Sequence, residues 1–146
     1  METVGIILSD KGAEVFSVGA DATVLQAVTK MCANRVGAIL VCDESACSGI
    51  FTERDLMARV TLKGLDPNTT LVGQVMTAEI ACVEPSTTAS EAMAIMTERR
   101  CRHLPVIEGS KIVGVVSIGD LVRWESRNQA FELRMLTDYI QGKYPG

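Results

Sequence analysis

Gly49-Ile-Phe-Thr-Glu-Arg-Asp55 returns in outline as Gly114-Val-Val-Ser-Ile-Gly-Asp120, with Gly, a hydroxyl residue and Asp at matching places 65 residues apart. The same offset extends outward without a gap, from Ala13–Leu56 to Ala78–Leu121. Twelve positions coincide, among them Ala27/Ala92, Met31/Met96, Arg35/Arg100, Val41/Val106 and Leu56/Leu121. Composition alone would give roughly 3. Other pairs keep their apolar character, such as Val36/Cys101 and Ile50/Val115. The chain is a duplication.

Each copy has one order of elements. A short extended segment, Glu14–Val18 or Glu79–Val83, precedes a helix with apolar residues at i, i+3, i+4 and i+7. These are Val24, Ala27, Val28 and Met31 in the first copy, and Ala89, Ala92, Met93 and Met96 in the second. Asp21 and Ser86 are the expected N-caps. The apolar runs Ala38–Cys42 and Leu104–Ile107, bounded by turn residues, suit buried strands. A second strand then leads through Thr52 or Ser117 into another helix. The expected class is α/β (α+β): two tandem β-α-β-β-α units packed as a pseudo-twofold pair. Expected boundaries are 1–62 for the first unit with the N-terminal segment, 63–123 for the second, and 124–146 for a helical tail. That tail reads as one helix from about Asp120 to Gln141, with Leu121, Trp124, Phe131, Met135, Leu136, Tyr139 and Ile140 on one side.

Composition narrows the function. The 146 residues are 47% apolar, enough for a packed interior. A net charge of −4 argues against a general nucleic-acid binder. No apolar run approaches the roughly 20 residues of a membrane helix, and the stretch Val4 to Leu8 is too short and lacks a basic flank for a secretory signal. A soluble, cytoplasmic protein is expected. Five cysteines with no C-x-x-C spacing suggest reduced thiols rather than a disulfide framework, with Cys42 and Cys47 across a turn as the one redox candidate. A single histidine and the lack of a tight Cys/His cluster argue against a zinc site, and no metal is expected. P-loop, G-x-G-x-x-G, G-x-S-x-G and H-E-x-x-H motifs are missing, so no catalytic residue is assigned and no enzyme is expected. A Cys101/His103 dyad has the spacing of one strand face but no third orienting group.

The tandem pattern resembles a pair of CBS domains, the regulatory unit called a Bateman module. Its carriers are the two G-x-x-[ST]-x-x-D segments quoted above. Arg102-His-Leu-Pro-Val106 and Val75-Met-Thr77 are also similar to stand-alone members of that family. The resemblance covers nearly the whole chain up to about Arg123. It implies a regulatory adenine-nucleotide sensor for AMP, ADP or ATP in signal transduction, acting as a flat homodimer. NAD(H) is the alternative ligand, and a ligand-free subunit regulating a partner enzyme or transporter is the alternative role.

Residue chemistry supports a ligand site at these motifs. Thr52 and Ser117 stand where strand becomes helix, and their hydroxyls with the free N–H groups of the first turn suit a phosphate. Asp55 and Asp120, three residues on, can accept hydrogen bonds from both hydroxyls of a ribose. Val36, Cys101, Ile50 and Val115 would line a slot for a flat base. Arg102 and His103 are further phosphate candidates, because their counterparts Gly37 and Ala38 offer no polar side chain. A phosphate-binding His103 would strengthen affinity as pH falls through the ordinary imidazole range. Arg54, whose counterpart is Gly119, is another candidate. The competing reading is a capping box, since [ST]-x-x-[DE] also closes a helix N-terminus. The two roles are compatible.

Overall fold

The computed structural model describes residues 2–12, 14–44, 46–125 and 140. They fall into two compact units: Val15–Ile80, and the described residues of Met1–Glu14 with Ala81–Gly146. The N-terminal segment thus belongs to the second unit, not to the first as the sequence suggested. The unit boundary lies after Ile80 rather than at 62. The cause is the helix α1 (Val4–Lys11), whose Val4, Ile7 and Leu8 fall at i, i+3 and i+4. All three are buried in one core with Leu104, Val116, Leu121 and Trp124.

In the first unit, β1 (Ser17–Val18) leads to α2 (Val24–Ala33), then to β2 (Ala38–Cys42) and β3 (Cys47–Thr52). β1 runs parallel to β2, and β3 antiparallel to it. The short α3 (Glu53–Asp55) passes directly into a π-helical stretch, Leu56–Thr61, and α4 (Val72–Val75) follows. Its core holds Val24, Ala27, Met31, Ile39, Val41, Phe51, Val60, Val72 and Val75. In the second unit, α5 (Ala89–Arg99) precedes the antiparallel β4 (His103–Glu108) and β5 (Lys111–Ser117), then α6 (Ile118–Glu125). The remainder of the helix expected to reach Gln141 lies outside the described residues, apart from Ile140.

The duplication holds at the level of hydrogen-bond register. Ala38 faces Thr52, Leu40 faces Ile50 and Val41 faces Gly49. At the corresponding positions His103 faces Ser117, Pro105 faces Val115 and Val106 faces Gly114. Both hairpins shift register at one equivalent place, after Val41 and after Val106.

One expected strand is reduced to a single bridge. In the first unit Leu40 donates its N–H to the Phe16 carbonyl (3.1 Å) beside the β1 ladder. Its counterpart Pro105 has no N–H to donate, so only Val83 pairs, in parallel, with Val106. The N-caps also differ from expectation. Thr23 and Thr88 cap α2 and α5, each in a capping box with Gln26 or Glu91, two residues beyond Asp21 and Ser86.

The leading helices dock in one manner on their own units. Val72 donates to the Ala22 carbonyl and Gly73 to that of Ala20; Val4 and Gly5 donate to Thr87 and Pro85, the matching acceptors. α4 ends at Val75, and the chain runs on to pair Thr77 with Ile50 through two hydrogen bonds of 2.8 and 2.9 Å. α1 continues to Lys11.

Cys42 and Cys47, facing each other across the β2–β3 turn, are joined in a disulfide. This corrects the expectation of five reduced thiols, and the reason is register: the bulge sets the two residues directly opposite. The equivalent pair in the second unit is Ile107 and Ile112. Without reductant, thiol labelling of the unfolded chain should reach Cys32, Cys82 and Cys101 only, and after reduction all five cysteines. Labelling of all five without reductant would show the pair to be open.

The two motif glycines differ in what they permit. A Cβ on Gly49 would lie 2.6 Å from the Thr77 carbonyl oxygen, whereas one on Gly114 would meet the Leu8 side chain at 2.8 Å. Backbone cannot step aside as a leucine tip can. Gly49→Ala should therefore cost about 2–3 kcal/mol of stability and Gly114→Ala about 1 kcal/mol, as read by chemical denaturation.

Candidate functional site: two strand-to-helix corners

Each motif builds a corner in which the acid at the third helical position returns to the strand end. At the first corner Asp55 donates its N–H to Thr52 Oγ1 (3.2 Å), and the Thr52 N–H donates to Asp55 Oδ2 (3.0 Å). At the second, Asp120 N–H donates to Ser117 Oγ (3.1 Å), and Ser117 N–H donates to Asp120 Oδ2 (2.8 Å). The capping boxes are formed. Both carboxylates are nonetheless unusual for caps, at 5% and 6% exposed. A buried charge needs several partners, and the two corners find different ones.

At Asp55 the neutral Thr77 hydroxyl sits 2.9 Å from Oδ1 and 3.2 Å from Oδ2. Arg59 Nε is 3.6 Å from Oδ1, with its guanidinium also bonded to the Met76 carbonyl. At Asp120 the partners are charged. Lys11 Nζ donates to Oδ2 (2.6 Å) and to the Val115 carbonyl (2.9 Å), and Arg123 pairs with Oδ1. Burial pushes the Asp120 carboxyl up, but the Lys11 ammonium and the Ser117 hydrogen bonds outweigh it and hold it below the usual range.

The segment before each hairpin is tied to its corner. Glu53 donates its N–H to the Gly37 carbonyl (3.0 Å) and Ile118 to that of Arg102 (2.8 Å). This brings Val36 beside the first corner, and Cys101, Arg102 and His103 beside the second. Val36, Cys101 and Val115 are half-buried, while Ile50 is buried between Leu40 and Thr77. Arg54 is exposed on the first turn of α3. Lys11, Thr77, Arg59 and Arg123 were not among the site residues expected from sequence. Thr77 lies in the quoted Val75-Met-Thr77. Lys11 was detectable only through the Val4-Gly5 and Val72-Gly73 pairs, whose spacing differs by three residues from that of the main repeat.

His103 corrects an expectation. Burial pushes its imidazole down to about 4, with Lys11 and Arg102 lowering it further and Asp120 opposing them. It is neutral across the range in which it was expected to charge. Burial likewise raises the Cys101 thiol, which disfavours the thiolate that a nucleophile needs. Among the described residues no group of three or more His, Cys, Asp or Glu could hold a metal, and no helix is long and apolar enough to cross a membrane.

Two tandem α/β units with a hydroxyl–acid corner in each define a paired regulatory module. The CBS domain model matches residues 11–61 and 72–127, and the chain belongs to that family. It is 41% identical over 129 residues to the CBS domain-containing protein CBSX3, mitochondrial, of Arabidopsis thaliana, covering 85% of this chain and 63% of that protein. The chain thus spans less than two thirds of that relative's length. It is 42% identical to a putative signal-transduction protein with CBS domains from Burkholderia ambifaria MC40-6, with a TM-score of 0.83 over 87% of this chain and 96% of that one. The fold also matches the CBS domain pair of protein MJ0100, solved with 5′-methylthioadenosine and S-adenosyl-L-methionine (TM-score 0.76, 17% identity, 87% and 98% covered).

His103 sets a pH dependence. Unfolded, its imidazole takes a proton near 6.5; folded, only near 4, so the unfolded state binds more protons between these values and stability falls as pH drops. From about pH 7 to about pH 4.5 the wild type should lose about 2 kcal/mol more than His103→Gln. Parallel losses in the two proteins would show that the imidazole is not held neutral.

Proposed function

We propose that the chain is a regulatory adenine-nucleotide sensor, binding AMP, ADP or ATP at its hydroxyl–acid corners and passing occupancy to a partner. The supporting observation is that Asp55 and Asp120 are held, buried, at one register position in both units of a CBS-domain protein. A carboxylate so placed can accept from a ribose diol that displaces its present donors, and the adjoining hydroxyl and N–H groups suit phosphate. The complex of the MJ0100 pair with 5′-methylthioadenosine and S-adenosyl-L-methionine supports this reading. NAD(H) remains a second ligand of the same chemistry. On this reading the protein works as a homodimer in the cytoplasm, acts on a regulated protein rather than on a substrate, and uses no catalytic cofactor.

The second corner is the better phosphate site. Lys11 and Arg123 pair with the Asp120 carboxylate, Arg102 adds a third cation close enough to act on His103, and His103 adds a neutral donor or acceptor. Arg102→Ala should therefore weaken AMP but not adenosine, by about tenfold or more.

A ligand-free interaction subunit is the competing reading, favoured by the completeness of the caps within the chain itself. Calorimetry with AMP, ADP, ATP and NAD(H) decides between them. Ligand at about 100 times its dissociation constant should add about 2.7 kcal/mol of stability. Asp55→Asn should reduce affinity about tenfold or more, beyond any loss of stability. Absence of binding by ligand-free wild type, or affinity indifferent to Asp55, Asp120 and Arg102, would leave the interaction role.

A further inference from the structure

The two corners differ in how their carboxylates are satisfied, and the difference comes from the leading helices. α4 stops at Val75, so that Thr77 offers Asp55 a hydroxyl, which can rotate and can accept as well as donate. The Thr52 hydroxyl also lies 3.2 Å from Oδ2, and both hydroxyls can turn to accept from a ligand diol that takes their place on the carboxylate. α1 runs to Lys11 before Gly12 ends it at φ 93°. The ammonium it delivers only donates, and it takes one lone pair of Asp120 Oδ2 while the Ser117 N–H takes the other. Arg123 takes a lone pair of Oδ1. A diol needs two acceptor positions on this carboxylate, and the arrangement leaves one.

We propose that Lys11 is a displaceable internal competitor for the ligand diol, a specificity-determining latch that keeps the second corner closed until a ligand drives the ammonium off Asp120. The geometry favours a latch over a permanent tie. Leu8 against Gly114, with buried Val4 and Ile7, fixes the helix, so Lys11 always returns to the same place. Yet the Lys11 side chain is 34% exposed, and water can receive the ammonium when it leaves. A released Lys11 remains near the corner, where it favours an anionic ligand over a neutral one. Ligands that lack the phosphate must break the ion pair with no cation contact in return.

The inference rests on the nucleotide-binding reading, and adenosine separates the two because it carries the diol without phosphate. Adenosine should bind Lys11→Met about tenfold or more tightly than wild type, since the competing charge-assisted hydrogen bond is gone. Adding Asp120→Asn to Lys11→Met should abolish that gain. Equal affinity of wild type and Lys11→Met would overturn the latch while leaving nucleotide binding intact. A gain that survives in the double variant would also overturn it, because Asp120 would not be the group released. Binding to Lys11→Met alone supports the latch in its strongest form. Failure of all three proteins to bind adenosine, AMP or ATP overturns the latch and the sensing role together. Lys11→Gln, which keeps a neutral donor for the Val115 carbonyl, repeats the comparison should Lys11→Met not fold, as judged by circular dichroism.

Discussion

A carboxylate that closes a helix from inside the protein is the constraint on which both units depend. Asp55 and Asp120 satisfy the strand-end N–H beside them, and for that they are drawn out of water almost completely. Desolvating a charge is costly unless several donors converge on it, and each unit has to bring those donors from elsewhere in the chain. The first brings Thr77 on the segment leaving α4. The second brings Lys11 from a helix that precedes both copies in sequence. Much of the architecture follows from that requirement: the docking of α4 and α1 on their strands, and the glycines that let backbone or Leu8 approach.

The same requirement explains why duplicated units have drifted apart in chemistry but not in register. Hairpin pairing, bulge position and capping box are backbone properties, and a slip of one residue would turn every core side chain to the wrong face. The side chains completing the carboxylate shell are free to change, provided the shell stays filled. A hydroxyl with a distant arginine fills it at Asp55; two cations fill it at Asp120. The first corner is therefore close to neutral, and the second is ionic. An anion meets three cations at one corner and a single arginine near the carboxylate at the other.

Much of the fold was legible in the sequence because periodicity and repetition report backbone structure. Apolar spacing located α2 and α5, and the 65-residue offset located both hairpins and both corners. The caps at Thr23 and Thr88 were missed, although Thr-x-x-Gln and Thr-x-x-Glu encode them, because Asp21 and Ser86 stand nearby as equally good capping residues. The missing strand at Cys82 and Val83 was foreshadowed by Pro105, but only pairing register reveals which N–H the proline withholds. Less of the site could be read. Arg102, His103, Thr52 and Ser117 share the motifs that announced them, whereas Lys11 reaches Asp120 across 109 positions of chain. No local pattern encodes such a contact.

His103 shows the limit most sharply. Its residue type predicts a group that titrates near neutrality, and its place beside an acid would ordinarily raise that value. Burial acts first and in the opposite direction, and Lys11 and Arg102 add to it, so the imidazole stays neutral. The chemistry of that corner is thus set by a lysine remote in sequence as much as by the motif. With Lys11 in place, Asp120 is held ionised and His103 is discouraged from charging, which leaves the corner cationic through Lys11, Arg102 and Arg123. Any ligand entering there meets a fixed positive field rather than one that changes with mild acidification. On the proposed nucleotide-sensing reading, selectivity at this corner follows from the ligand's own charge, which is what distinguishes a phosphorylated nucleotide from its nucleoside.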